Sequence, residues 1–205
     1  MRAAQAADLG LACIHPYPPR TLKEAFIRWV RPPALPTTVA TVLAAGRTAA
    51  ITSASRTMLK FLGWPIAATT VAWPALHAAG QQVLAILSCA VLLMLVSLVV
   101  HELGHVVVLR VIAPRAPALF TARAGRFRLI RGALPTHQDL AVTLAGPAAP
   151  FIVPAVLFAV ASGTTVHVWT ALAIAVAHAS LLLRPDGDGA MLRAVLSRPR
   201  PHRPT

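Results

Sequence analysis

Acidic residues are scarce in this 205-residue chain, and glutamate, with two residues, is as rare as lysine. The chain has 19 Lys and Arg against 6 Asp and Glu, and its only glutamates are Glu24 and Glu102. Charged residues make up 12% of the sequence, roughly half of what is usual in soluble domains. Hydrophobic residues make up 57%. The composition therefore predicts an integral membrane protein.

Cysteine is also rare, and its placement is uninformative for metal binding. Cys13 and Cys89 lie far apart and form no CxxC pair, which argues against a disulfide framework. Neither residue is required as a metal ligand. The opening of the chain is Ala-rich and lacks an apolar segment, so we expect no cleaved secretory signal.

Long hydrophobic runs, by contrast, are abundant. Four stretches reach the roughly 20 residues that a transmembrane helix needs. They cover about residues 61–79, 82–112, 140–161 and 165–183. Pro147, Pro150 and Pro154 should bend the third of them, which neighbouring helices can tolerate. The predicted fold class is an all-α membrane protein with about four transmembrane helices.

The basic residues predict the membrane topology. All 19 lie in three regions, up to Lys60, from Arg110 to Arg131 and from Arg184 onward, and the connections at 80–82 and 162–164 have none. With four spans, the three regions fall on one side of the bilayer, which the positive-inside rule makes cytoplasmic. We therefore expect a multi-pass protein of a bacterial cell membrane with both termini in the cytoplasm. The charge then requires no nucleic-acid partner, and none is expected.

Three regions follow from this layout. Residues 1–60 form a cytoplasmic N-terminal region, 61–195 a transmembrane core, and 196–205 a basic, Pro-rich tail. Within the first, residues 21–31 predict a short helix that either lies on the membrane surface or packs against the protein. In the connection between spans two and three, apolar positions flank Ala124-Gly125. That pattern is compatible with a small β-hairpin at the cytoplasmic surface or with a plain basic loop.

The motif that indicates chemistry is His101-Glu102-Leu103-Gly104-His105, which has the form HExxH. On a helix, positions i and i+4 share a face, so His101 and His105 can bind one metal ion, and neutral imidazole suits zinc. Glu102 can take a proton from a water at the metal and later deliver one to a leaving amine. Ionisable groups inside a predicted span are costly and normally mark function, so a purely structural cluster is the weaker interpretation.

A catalytic zinc usually has three protein ligands and one open position. No glutamate follows Glu102, so a zinc site whose third ligand is a downstream Glu is excluded. The extended pattern HExxHxxGxxH is absent too, so a site whose third ligand is the last His of that pattern is also excluded. The remaining candidates for the third ligand are carboxylates and imidazoles elsewhere in the chain. They are Asp139, Asp186, Asp188, His137, His167, His178 and His202.

The motifs together resemble the site-2 protease family of intramembrane zinc metalloproteases. The resemblance rests on HELGH at the end of a long apolar helix, Leu144-Ala145-Gly146-Pro147 in the next span, and a Pro-x-x-Asp-Gly element after another span. It covers about residues 82–195. The family's third ligand is the Asp of an Asn-x-x-Pro…Asp-Gly motif, which aligns with Asp188-Gly189, although Asp186-Gly187 competes. Ser180 stands where the family usually has Asn.

The resemblance implies one Zn²⁺ bound by His101, His105 and Asp188, with Glu102 as the catalytic residue. It implies hydrolysis of peptide bonds in membrane-spanning substrate proteins, as in regulated intramembrane proteolysis. An extended substrate segment would pair with residues 119–130. The alternative is a non-catalytic pseudoprotease or another zinc-binding membrane protein, because Ser180 replaces the family's Asn.

Overall fold

The computed structural model describes residues 38–123, 126–160 and 165–197, which form a mostly helical protein with a small sheet. The predicted helix at 21–31 and nearly all of the basic tail lie outside these residues. The strands are β1 (Thr38–Val42), β2 (Ala118–Arg123) and β3 (Arg126–Arg131). The helices are α1 (Arg47–Ala78), α2 (Gln82–Ile112), α3 (Thr136–Ala148), α4 (Ile152–Val160), α5 (Val166–Ser180) and α6 (Gly187–Leu196).

Helix α2 is the centre of the fold and contains the HExxH motif. It packs against α1, α3 and α5, and it also contacts β3. The helix stops at Ile112 because Ala113 precedes Pro114, and a residue before proline disfavours the helical conformation. The end of α2 that contains the HExxH motif therefore lies beside the sheet.

The strands form an antiparallel sheet in the order β1-β2-β3. Of the two interpretations of the segment around Ala124-Gly125, a β-hairpin or a plain basic loop, the hairpin is confirmed: β2 pairs with β3, and Arg123 lies opposite Arg126 at the turn end. Strand β1 is an addition that the sequence did not indicate, and it pairs with β2 from Thr38↔Arg123 to Val42↔Leu119. The sheet buries Phe120 and Phe127 in the same apolar cluster as Val106 of α2.

Arg110 fixes the sheet to the end of α2. Its side chain is 2% exposed, and its guanidinium donates hydrogen bonds to the carbonyl oxygens of Leu43 at 2.9 Å and Ala116 at 2.7 Å. These carbonyls follow β1 and precede β2 respectively. One buried cation thus joins the HExxH helix to two strands through their backbone.

Within the described residues, three helical segments are long and apolar enough to cross a membrane: Gln82–Ile112, Thr136–Val160 and Val166–Leu183. They correspond to the second, third and fourth predicted spans. The third is interrupted by a 3-10 turn at Ala149–Phe151, where the prolines predicted a bend. The first predicted span is helical within α1, which is long enough to cross a membrane but is not among the described segments that are also apolar enough. Because α1 begins at Arg47, it also runs through the predicted regional boundary at residue 60 without a break.

The distribution of polarity is typical of a protein surrounded by lipid. Large apolar side chains are widely exposed, including Trp64 at 81% and Val160 at 79%. Polar side chains are buried inside instead, including Ser97, Asp139 and Thr143. A soluble monomer rarely exposes apolar surface to this extent.

A buried ion pair joins the hairpin to α3. Arg131, at the end of β3, donates to a carboxylate oxygen of Asp139, which is 0% exposed. From its sequence context, Asp139 was predicted only as a candidate metal ligand, and this pair was not predicted. It fixes the end of β3 relative to the helix that packs beside the HExxH motif.

We expect Asp139→Asn to destabilise the protein by about 3–5 kcal/mol, because it leaves the Arg131 charge buried without its carboxylate. The measurement is the midpoint of thermal unfolding of the purified protein in detergent. Asp186→Asn is the matched control, because its ion pair with Arg184 is exposed, and such pairs contribute roughly 0–1 kcal/mol. Equal effects of the two substitutions would contradict the assigned role of Asp139.

Candidate metal centre

The two histidines of the motif lie one helical turn apart on α2 and meet one carboxylate. His101 Nε2 is 3.0 Å from Asp188 Oδ2, and His105 Nε2 is 3.3 Å from Asp188 Oδ1. The ligand atoms of the three residues all lie within 4.8 Å of one another. Ligands about 2.1 Å from a tetrahedral ion stand about 3.4 Å apart. The three residues can therefore hold a metal ion.

Asp188 reaches this position from the first turn of α6, 87 residues after His101. The carbonyl oxygens of Leu182 and Arg184 press on the adjacent Gly189, where a Cβ would lie 2.7 Å and 2.1 Å from them. Only glycine fits there. In the Asp-Gly pair, Asp188 supplies the carboxylate, and Gly189 permits the close backbone packing that holds this carboxylate near α2.

The same geometry separates Asp188 from its competitor. Asp186 pairs with Arg184 instead of with the histidines, and the side chains of this pair are 70% and 62% exposed. Its carboxylate is not part of the group formed by the two histidines. Of the two Asp-Gly carboxylates, only that of Asp188 lies at the candidate metal centre.

His105 has a hydrogen-bonding pattern that suits a metal ligand. Its Nδ1 lies 2.6 Å from the carbonyl oxygen of Val142, so Nδ1 carries the proton and donates it. A neutral imidazole has one N–H, and therefore Nε2 presents a lone pair toward the Asp188 carboxylate. A cation between Nε2 and that carboxylate satisfies both groups. A carbonyl partner on the far nitrogen is the usual way in which proteins orient a metal-binding histidine.

Two glycines bring α2 and α3 close enough to build this centre. A Cβ on Gly146 would lie 2.0 Å from His105 Nε2, so the absent side chain leaves the space that the imidazole occupies. A Cβ on Gly104 would lie 2.6 Å from the Ala145 carbonyl oxygen. The contact between Gly146 and His105 was not predicted from the sequence.

Electrostatics favour an ionised Asp188. Burial by itself would raise the pKa of this carboxyl, but the adjacent imidazoles of His101 and His105 hold the pKa well below its usual value. An ionised carboxylate is the form that binds a metal.

His178 of α5 lies beside the centre without joining it. Its ring centroid is 5.1 Å from that of His101, and the rings are tilted. The Nδ1 atoms of His101 and His178 are both buried and have no hydrogen-bond partner among the described residues. His178 therefore neighbours the metal group rather than contributing to it.

A cavity of about 520 Å³ opens onto the centre. One wall consists of His101, Glu102 and His105 from α2, and another of residues 127–131, which belong to β3. Asp186 and Asp188 line it from the third side. Glu102 thus shares a single cavity with the three candidate ligands.

The other candidate ligands lie elsewhere. Asp139 is paired with Arg131, and His137 is exposed. His167 Nδ1 lies 3.4 Å from Cys89 Sγ. His202 is outside the described residues.

No known protein family model matches the chain, and neither curated proteins nor solved structures match it.

Proposed function

We propose that the protein is an intramembrane zinc metalloprotease of the site-2 protease type, which hydrolyses peptide bonds of membrane-spanning substrates. The observation that carries the proposal is the convergence of His101, His105 and Asp188 on one cavity that also contains Glu102. Two imidazoles and a carboxylate, with an open side, form the donor set of many catalytic zinc sites.

Zinc bound by these residues supplies a Lewis acid that polarises a carbonyl and lowers the pKa of a bound water toward about 7. Glu102 is the general base in this proposal, and its carboxylate takes a proton from the attacking water. The same carboxyl then delivers a proton to the nitrogen of the leaving amine. Val142 keeps the proton of His105 on Nδ1, which leaves Nε2 as a ligand.

The cavity wall formed by β3 supports an extended substrate. Side chains of a strand alternate between its two faces, yet five consecutive residues, 127–131, all line the cavity. A cavity beside one face of a strand would contact alternate residues, whereas a cavity along the edge of the strand contacts consecutive residues. In the described sheet, β3 has β2 on one side only, so its second edge faces the cavity.

The hydrogen-bond pattern of the sheet indicates which backbone groups this edge offers. The Gly132 N–H donates to the Pro117 carbonyl oxygen at 3.5 Å, so that pair is hydrogen-bonded. Antiparallel pairs alternate between hydrogen-bonded and non-hydrogen-bonded, and therefore Phe127, Leu129 and Arg131 direct N–H and C=O away from β2. A substrate strand can pair with these groups once its helix has unwound.

A membrane location also fits the proposal. The candidate centre lies at the end of the most apolar of the three potential spans, Gln82–Ile112. By the positive-inside rule, the basic residues on β2 and β3 favour a cytoplasmic position for that end. Substrates would then be membrane-tethered proteins cut near their cytoplasmic boundary.

One observation favours the alternative of a non-catalytic zinc-binding protein. Ser180, at the position of the family's Asn, is exposed and donates its hydroxyl to the Ala177 carbonyl oxygen at 2.7 Å. It does not line the cavity. A polar group that would help to orient substrate is thus missing at this position, while the metal group is complete.

The first test is metal content. We expect purified protein to bind one Zn²⁺ per chain and Asp188→Asn to weaken zinc affinity by about 100-fold or more, since it removes a charged ligand. Asp186→Asn is the matched control, because it makes the same chemical change two residues away. Zinc competition with a chromogenic chelator measures both.

Hydrolysis is then tested with a single-span substrate protein in liposomes. Cleavage by the zinc-loaded protein that disappears on chelation supports the protease. Stoichiometric zinc without cleavage of any substrate in a panel supports the non-catalytic alternative. Equal zinc affinities of the Asp188 and Asp186 variants would overturn the assigned centre itself.

A further inference from the structure

Arg128 is a cation on the cavity wall that has no carboxylate partner among the residues that the structure describes. It lies in the middle of β3, its side chain is exposed, and it lines the cavity that contains Glu102. None of the ion pairs among the described residues includes it. The neighbouring cations on the same wall differ, because Arg131 is paired with Asp139 and Arg184 with Asp186.

The described carboxylates have other roles, so none is left to neutralise Arg128. Asp139, Asp186 and Asp188 bind Arg131, Arg184 and the two histidines respectively. Glu102 belongs to the candidate catalytic group. A positive charge beside a partly enclosed cavity attracts a negative group on whatever enters it.

The strand geometry gives that negative group a position. Thr121 is the partner of Arg128 on β2, and this pair is hydrogen-bonded by the alternation described above. On its outer edge, Arg128 therefore occupies a non-hydrogen-bonded site. In an added antiparallel strand, the side chains of such a pair are at their closest, with Cα atoms about 4.5 Å apart.

We propose that the site selects substrates that carry an Asp or Glu directly opposite Arg128 in the extended segment paired with β3. This inference rests on the proposed protease function and names the substrate class of that same site: membrane-spanning proteins with an acidic residue in the segment entering the cavity. Arg128 is a specificity-determining residue, which acts through substrate binding and takes no part in the proton transfers of Glu102.

The experiment scans one charge along a substrate. In a single-span test substrate, each position of the segment flanking the cleavage site is made Glu, Gln or Lys in turn, and kcat/KM is measured in liposomes. At one position we expect kcat/KM of the Glu substrate to exceed that of the Lys substrate by about tenfold, mainly through a lower KM. Opposite charges across a strand pair stabilise the pairing, and like charges destabilise it. Arg128→Glu should invert the preference at that position only.

Arg115→Glu is the matched control, because it makes the same charge change on an exposed residue that does not line the cavity. It should leave the Glu-over-Lys preference intact. If Arg128→Glu leaves the preference unchanged, or if no position shows one while cleavage continues, the selectivity is refuted and the protease survives. Absence of cleavage from all zinc-loaded variants, including the unaltered protein, refutes the protease and the selectivity together.

Anionic lipid is the competing partner for Arg128, and the liposome composition separates the two. The scan is repeated in phosphatidylcholine alone and with phosphatidylglycerol added. A preference that persists in the neutral bilayer supports a substrate carboxylate. An effect of Arg128→Glu that depends on phosphatidylglycerol and not on the substrate residue would assign Arg128 to lipid and overturn the proposal.

Discussion

Glu102→Gln is expected to lower the rate of peptide hydrolysis by about 10²–10⁴-fold while one zinc ion per chain remains bound. The amide has the shape of the carboxylate but cannot accept the proton of the attacking water, and general acid–base catalysis is typically worth that factor. The metal group is unaffected, because its ligand atoms come from His101, His105 and Asp188. Zinc content and cleavage of a single-span substrate are measured on the same preparation.

Glu24→Gln is the control, since Glu24 is the only other glutamate of the chain. It should retain both zinc and hydrolysis. Persistent cleavage by the Glu102→Gln protein would show that the proton is accepted elsewhere, and the proposed mechanism would be wrong. Loss of zinc together with cleavage would instead show that Glu102 is needed to build the centre.

Gly146→Ala should lower zinc affinity by about 100-fold or more. The added Cβ would stand 2.0 Å from His105 Nε2 and 2.4 Å from its Cε1, so the imidazole must leave its place. Moving the ring also breaks its bond to the Val142 carbonyl, and loss of such an orienting partner alone costs about 10–100-fold in metal affinity. Overpacking should also destabilise the protein by about 1–3 kcal/mol.

Gly63→Ala provides the matched comparison within another helix. A Cβ at Gly63 meets nothing within 4 Å, and alanine favours helix by up to about 1 kcal/mol over glycine. We therefore expect unchanged zinc affinity and equal or higher thermal stability. If the two alanine variants bound zinc equally well, Gly146 would not be the space that accommodates His105.

The candidate ligands on α2 were predictable from sequence because their geometry is local. An i, i+4 pair on a helix needs only the helix to form, and a run of apolar residues before His101 predicts that helix. The third residue was not decided by spacing alone. Asp186 and Asp188 are both followed by glycine, and only the fold of α6 directs one inward and the other to solvent.

Long-range contacts were the part that the sequence did not reveal. Strand β1 is short and pairs with a strand some 80 residues away in the sequence. No hairpin or turn pattern next to β1 therefore predicts this pairing. The pairing of Arg131 with Asp139 is likewise a tertiary contact between two elements. Helix α1 is not among the segments apolar enough to cross a membrane, and its status as a span stays a prediction.

The separation of 87 residues between His101 and Asp188 has a consequence for biosynthesis. A nascent chain that has exposed only its first half carries a pair of imidazoles but lacks the carboxylate that completes the group. Every helix up to α6 must have been synthesised and folded back onto α2 before the full set of donors exists. Any metal that this group holds would therefore be acquired late in maturation, and chains that end before α6 would lack one of its three donors.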